Sequence, residues 1–105
     1  KTSKYLLLGD MLELGKKTNE LHKSLVPYVN NSDIDKLFVH GKKIVKIYRN
    51  IKKNKQGNIL QHKSDVKDTI LPIIQNNDYL MIKGSNSTGL YKISRNLIKG
   101  KYNAL

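Results

Sequence analysis

The run "KYLLLGD", residues 4–10, decides the fold. Tyr5, Leu6, Leu7 and Leu8 follow one another without a polar break, and Gly9 and Asp10 end the run. A strand with one face in water alternates apolar and polar residues. A short continuous run is covered on both faces, as in a parallel sheet between two layers of helices. Three further runs repeat the theme: "DKLFVHG" (35–41), "NILQH" (58–62) and "NNDYLMIK" (76–83). The third is weak and is predicted nearer an edge.

The segments between these runs have helical spacing. Thr18 is placed to cap a helix, with Glu20 in its first turn and Leu21, Leu25, Tyr28 and Val29 on one face. Pro27 predicts a kink or an early end there. Residues 42–53 read as a second helix through Ile44, Val45, Tyr48 and Ile51, with lysines opposite. Ser64 caps a third, with Asp65 and Asp68 in its first turns and Val66, Ile70, Ile73 and Ile74 as its apolar face. Pro72 predicts that it stops early or kinks. Leu90, Ile93, Leu97 and Ile98 give a last helix, while "MLELGKK" reads as a loop. Strand and helix alternate four times without an internal repeat. That order predicts one α/β domain with a mostly parallel sheet and helices on both faces.

Composition narrows the classes. The chain has 105 residues, 38% of them hydrophobic, which suits one domain with a modest core. No apolar run is long enough to cross a bilayer. The basic, apolar start is a poor signal peptide, because Asp10 closes the run and no small-residue cleavage site follows. The absence of cysteine excludes disulfides and thiolate metal sites and fits a cytoplasmic protein. The net charge of +12 raises a nucleic-acid or membrane-surface partner. Against that, 18 of the 20 basic residues are lysine, spread over every segment, and asparagine and isoleucine number 11 each. Lysine, asparagine and isoleucine are residues an AT-rich genome favours. A small basic module binding nucleic acid through its lysines is the alternative function.

In parallel α/β folds ligands sit beyond the carboxyl ends of the strands. Three loops therefore carry the candidates: "GDMLELG", "HGKK" and "KGSNSTG". Gly84 and Gly89 have the spacing of a phosphate-binding P-loop. Leu90 and Tyr91 stand where its lysine and its magnesium-binding hydroxyl are required, so this is not one. What survives is an anion site on amides at a helix start, or else a plain strand-to-helix turn. Asp10 has two readings: acceptor for a substrate ammonium or a magnesium-bound water, or cap of the following turn. Met11, Leu12 and Leu14 are apolar enough to pack down, and Glu13 is open to either side. His22, His40 and His62 have no metal-ligand spacing and read as structural or surface histidines. No nucleophile triad or paired-carboxylate arrangement is identified.

Taken in order, "LLLGDMLELG", His22, "DKLFVHG" and "DYLMIKGSNSTGLYKISRNL" resemble the C-terminal domain of a Mur ligase. The family pattern is G-D-M-x-E-L-G after a strand, a histidine in the next helix, a D-x-L-F-x-x-G strand, and D-x-x-L-x-K-G-S before a last helix. Relatives often carry arginine and glycine after K-G-S; this chain has Asn86 and Ser87. The resemblance implies a Rossmann-like three-layer sandwich over residues 1–105, truncated on its N-terminal side. It also implies an ATP-dependent amide-forming ligase of peptidoglycan synthesis, in which ATP and magnesium are bound mainly by a central domain. The expected substrates are a UDP-N-acetylmuramoyl-tripeptide and D-alanyl-D-alanine. The expected partners are the N-terminal and central domains, with no membrane insertion and no specific nucleic acid. By this resemblance Asp10, Met11, Glu13, Lys83, Gly84, Ser85 and Asn86 face the substrate cleft. No residue is expected to be catalytic or a metal ligand, and the domain alone is expected to be silent.

Overall fold

A computed structural model describes residues 2–84. Four strands form one sheet: β1 (Lys4–Gly9), β2 (Lys36–His40), β3 (Gln56–Ile59) and β4 (Tyr79–Lys83). Their order across the sheet is β3-β2-β1-β4, and every pairing is parallel. β1 is central, so both its faces are covered, which is why its sequence has no polar break. Leu6 and Leu8 pack with Leu37, Val39, Val29, Ile44 and Ile47 on one side. Tyr5 and Leu7 pack with Phe38, Val66, Ile70 and Leu80 on the other. The three-layer arrangement predicted from alternation is present.

Helix α1 (Thr18–Asn30) lies on the first face and the shorter α2 (Asp65–Thr69) on the second. α1 runs three residues beyond Pro27, so the predicted shortening is not seen. Proline costs one hydrogen bond to the preceding turn, and so near the end the packing of Val29 outweighs it. Thr18 does not cap: its hydroxyl donates to the Met11 carbonyl instead, 3.1 Å away. Ser64 also makes no capping bond; the carboxylate of Asp65 accepts from the His62 amide at 2.9 Å. α2 does stop ahead of Pro72, as predicted.

Two expectations are corrected. "MLELGKK" is not an open loop but carries a 3₁₀ segment, Leu12–Lys17, broken at Gly15, whose φ of 56° favours glycine. The helix expected over 42–53 is a 3₁₀ segment, Ile44–Asn50. Ile44, Val45 and Ile47 are β-branched, and Lys42 and Lys43 put positive charge at its start, where a helix favours negative charge. β3 covers 56–59 rather than 58–62; it is an edge strand and pairs with an irregularity at Leu37/Phe38. The last predicted helix, with Leu90, Ile93, Leu97 and Ile98, lies outside the described residues.

Two motif aspartates tie the strand starts together at the amino end of the sheet. Asp35 accepts from the Lys4 amide at 2.8 Å. Asp78 accepts from the amides of Ser3 at 3.0 Å and Gln75 at 2.9 Å, and these bonds hold its carboxyl below the usual carboxylate range. Both lie at the opposite end of the sheet from the G-D-M loop, and their bonds to backbone amides give them a structural part in the motif.

Candidate functional site

Strand order reverses at β1: the chain steps outward to β2 and β3, then crosses back to place β4 on the free side of β1. A crevice at the carboxyl ends of β1 and β4 follows from that reversal. Leu8 and Lys83 are register partners, so Asp10–Met11 and Lys83–Gly84 leave the sheet from adjacent strand ends. Lys83 and Gly84 are exposed. Asp10 of the G-D-M loop and Gly84, 74 positions further along the chain, thus stand at neighbouring strand ends. Glu13 is carried by the 3₁₀ segment Leu12–Lys17. Ser85 and Asn86 lie outside the described residues, as does the side chain of Glu13.

Asp10 is 8% exposed and its carboxylate is occupied. Oδ1 accepts from the amides of Ile44 at 2.7 Å and Lys43 at 3.1 Å, which begin the 3₁₀ segment after β2. It is a helix-type cap supplied from another loop, and it meets two amides left without partners in the first turn. Gly41, with φ of 144°, lets the β2 loop come this close: a Cβ there would stand 2.6 Å from the Asp10 carboxyl carbon.

Met11 is held on both backbone groups. Its amide donates to Nε2 of His22 at 3.1 Å, and its carbonyl accepts from the Thr18 hydroxyl. Its side chain packs against the first core face. His22 is 2% exposed. Burial pulls its imidazole below the ordinary value of 6.5; Asp10 opposes this and Lys43 adds to it. Since Nε2 accepts, Nδ1 carries the proton, and this buried Nδ1 has no partner. His22 falls on the stripe Thr18, His22, Leu25, Val29, whose helical spacing is the signal that it is buried. Nothing local in the sequence signals that Asp10 caps Lys43 and Ile44.

The third loop borders a hollow of about 450 Å³ at the ends of β2 and β3, lined by His40, Gly41, Lys42, Val45 and Leu60 among others. His40 donates through Nδ1 to the Leu60 carbonyl at 2.9 Å. Among the described residues no group of three His, Cys, Asp or Glu side chains is placed to hold a metal. With the Asp10 carboxylate on backbone amides, the described donor set does not fit a magnesium site. No described helix is long and apolar enough to cross a membrane.

The all-parallel sheet of order β3-β2-β1-β4 with helices on both faces defines a Rossmann-like α/β domain. No family model matches the chain. The UDP-N-acetylmuramoyl-tripeptide–D-alanyl-D-alanine ligase of Bacillus subtilis (strain 168) is 30% identical over 99 residues, 91% of this chain and 22% of the relative. The enzyme of the same name from Rickettsia prowazekii (strain Madrid E) is 28% identical over 91 residues, 87% of this chain and 20% of the relative. A crystal structure of MurF ligase from Thermotoga maritima in complex with ADP shares the fold with a TM-score of 0.71 at 19% identity, over 94% of this chain and 22% of that one. The chain is a Mur ligase family domain, close to these D-alanyl-D-alanine ligases. It spans about a fifth of the length of the curated relatives it matches.

Proposed function

We propose that this chain is the C-terminal domain of an ATP-dependent ligase that joins D-alanyl-D-alanine to UDP-N-acetylmuramoyl-tripeptide in peptidoglycan precursor synthesis. The observation that carries the reading is the pair of curated relatives of that name, matched along about nine-tenths of this chain. In the full reaction a substrate carboxylate is activated by ATP as an acyl phosphate, and the dipeptide amine displaces phosphate to form the amide. The described residues do not fit magnesium, and the glycine loop lacks the P-loop lysine and hydroxyl. ATP and magnesium are therefore assigned mainly to the central domain of the same enzyme, with the N-terminal domain as the other partner and the cytoplasm as its location.

Within this domain the β1–β4 mouth receives the dipeptide. Lys83, with the amides of Gly84, Ser85 and Asn86, meets its carboxylate; an exposed ammonium beside a glycine loop suits that charge. Met11 and Glu13 form the facing wall. Asp10 contributes chiefly by holding that wall in place, because its Oδ1 is spent on the Lys43 and Ile44 amides. No observation favours the nucleic-acid alternative.

The test is Lys83→Ala in the full-length ligase. Loss of one charge-assisted bond to the dipeptide raises KM for D-alanyl-D-alanine by roughly 10- to 100-fold, and leaves the KM for ATP unchanged. An unaltered KM for the dipeptide with unaltered turnover removes Lys83 from the site.

A further inference from the structure

A second hollow, of about 340 Å³, lies between α1 and the 3₁₀ segment Ile44–Asn50. Two of its lining residues also bond to the G-D-M loop: His22 accepts from the Met11 amide, and the Lys43 amide donates to Asp10. Lys23, Lys43, Lys46 and Arg49 are four of its eight lining residues, against 20 basic residues in 105 for the whole chain. The enrichment sets this hollow apart from the general scatter of lysines. None of the eight is acidic. Among the described residues the one ion pair, Lys4 with Asp33, lies elsewhere. Asp10 is turned to backbone amides, and Glu20 does not line the hollow.

His22 also lines it, and supplies an independent observation. The ring is 2% exposed, its Nε2 is taken by the Met11 amide, and its Nδ1–H has no acceptor. Buried donors are nearly always paired, so an orphan beside four unpaired cations points to an acceptor that enters from outside. The Asn19 side chain adds a further donor. A ligand rich in acceptors and multiply negative matches this lining. Two linked phosphoryl groups carry roughly three to four negative charges between them. A polymer backbone would need a cationic track along the surface, whereas these four basic residues border a single partly enclosed hollow.

We propose that the hollow between α1 and the 3₁₀ segment Ile44–Asn50 is an anion site for a small diphosphate-bearing molecule, with Lys23, Lys43, Lys46 and Arg49 as its charge partners and His22 at its floor. The site is independent of the function proposed above.

The test is calorimetric titration of the 105-residue chain with inorganic pyrophosphate at physiological salt, followed in parallel by 15N chemical shifts. The expected result is one saturable site, with shifts centred on residues 19–23 and 43–50 and a displaced His22 Nδ1 resonance. Lys43→Met with Arg49→Met weakens binding by about tenfold or more. Lys63→Met with Lys67→Met, the same charge change on and beside α2 on the other face, leaves it intact. UDP and ADP run alongside separate the sources: tighter binding than pyrophosphate assigns a nucleotide, equal binding assigns free phosphate. No saturable binding overturns the proposal. So does equal weakening by both pairs of substitutions, or a single-stranded oligonucleotide that displaces pyrophosphate and shifts residues across the whole surface.

Discussion

The carboxylate of Asp10 joins the end of β1 to amides 33 and 34 residues further along the chain. Asp10→Ala leaves those amides of Lys43 and Ile44 without an acceptor, one of them buried. Urea unfolding is expected to show a loss of about 1–3 kcal/mol. His22 performs the companion task for the Met11 amide and does so only while neutral. Its folded-state value lies below the ordinary 6.5, so protonation favours the unfolded chain. The stability it contributes is complete above pH 6.5 and is lost as pH falls through the lower folded value. Melting temperature should therefore fall between pH 7 and pH 5. His22→Gln, whose side-chain oxygen can still accept from Met11, should flatten that slope. A slope that is the same in both proteins would remove His22 as its source. From sequence His22 reads only as a structural or surface histidine; the structure puts it on the stripe Thr18, His22, Leu25, Val29 and buries it. The sequence marks Asp10 only as a polar residue at a strand end, because a cap supplied from so far away has no local pattern.

At the scale of elements, the strands are the most legible part. A central parallel strand must be apolar on both faces, and β1 obeys that rule residue by residue. Leu7 is fully buried against Phe38, Ile70 and Leu80. Leu7→Ala is expected to cost about 2–5 kcal/mol by chemical denaturation. The helices read less well. α1 keeps Pro27 in its interior, where the exposed ring removes one hydrogen bond and the helix continues to Asn30. Asn30 explains part of that persistence: its side chain donates to the Asn50 carbonyl at 3.1 Å and accepts from the Lys52 amide at 2.8 Å. This clasp fastens α1 to the end of the 3₁₀ segment Ile44–Asn50. Pro27→Ala restores the missing donor, and thermal unfolding should register a gain of about 1–3 kcal/mol. A loss would mean that proline's rigidity in the unfolded chain outweighs the bond. The second predicted helix is 3₁₀, and over the seven residues Ile44–Asn50 a repeat of 3.0 is hard to tell from one of 3.6 by apolar spacing.

At the scale of the whole molecule, a 3-2-1-4 strand order turns two separated motifs into one mouth. Each loop alone is ambiguous. The glycine loop has P-loop spacing without P-loop chemistry, and the G-D-M loop ends a strand as many loops do. Alternation of strand and helix predicted that both lie at the carboxyl edge; the reversal at β1 makes them neighbours, a fact of topology that no single stretch of sequence contains. The charge of +12 is likewise resolved by placement rather than by its size. Lysines occur in every segment, and four basic residues border the hollow between α1 and the 3₁₀ segment Ile44–Asn50. The most direct test of the central claim is ATP turnover by the full-length ligase carrying this domain, with UDP-N-acetylmuramoyl-tripeptide present and the amine varied. The account predicts ADP release and amide formation with D-alanyl-D-alanine and little with single amino acids. Turnover that is indifferent to the dipeptide, or amide formation with another amine in its place, would contradict it.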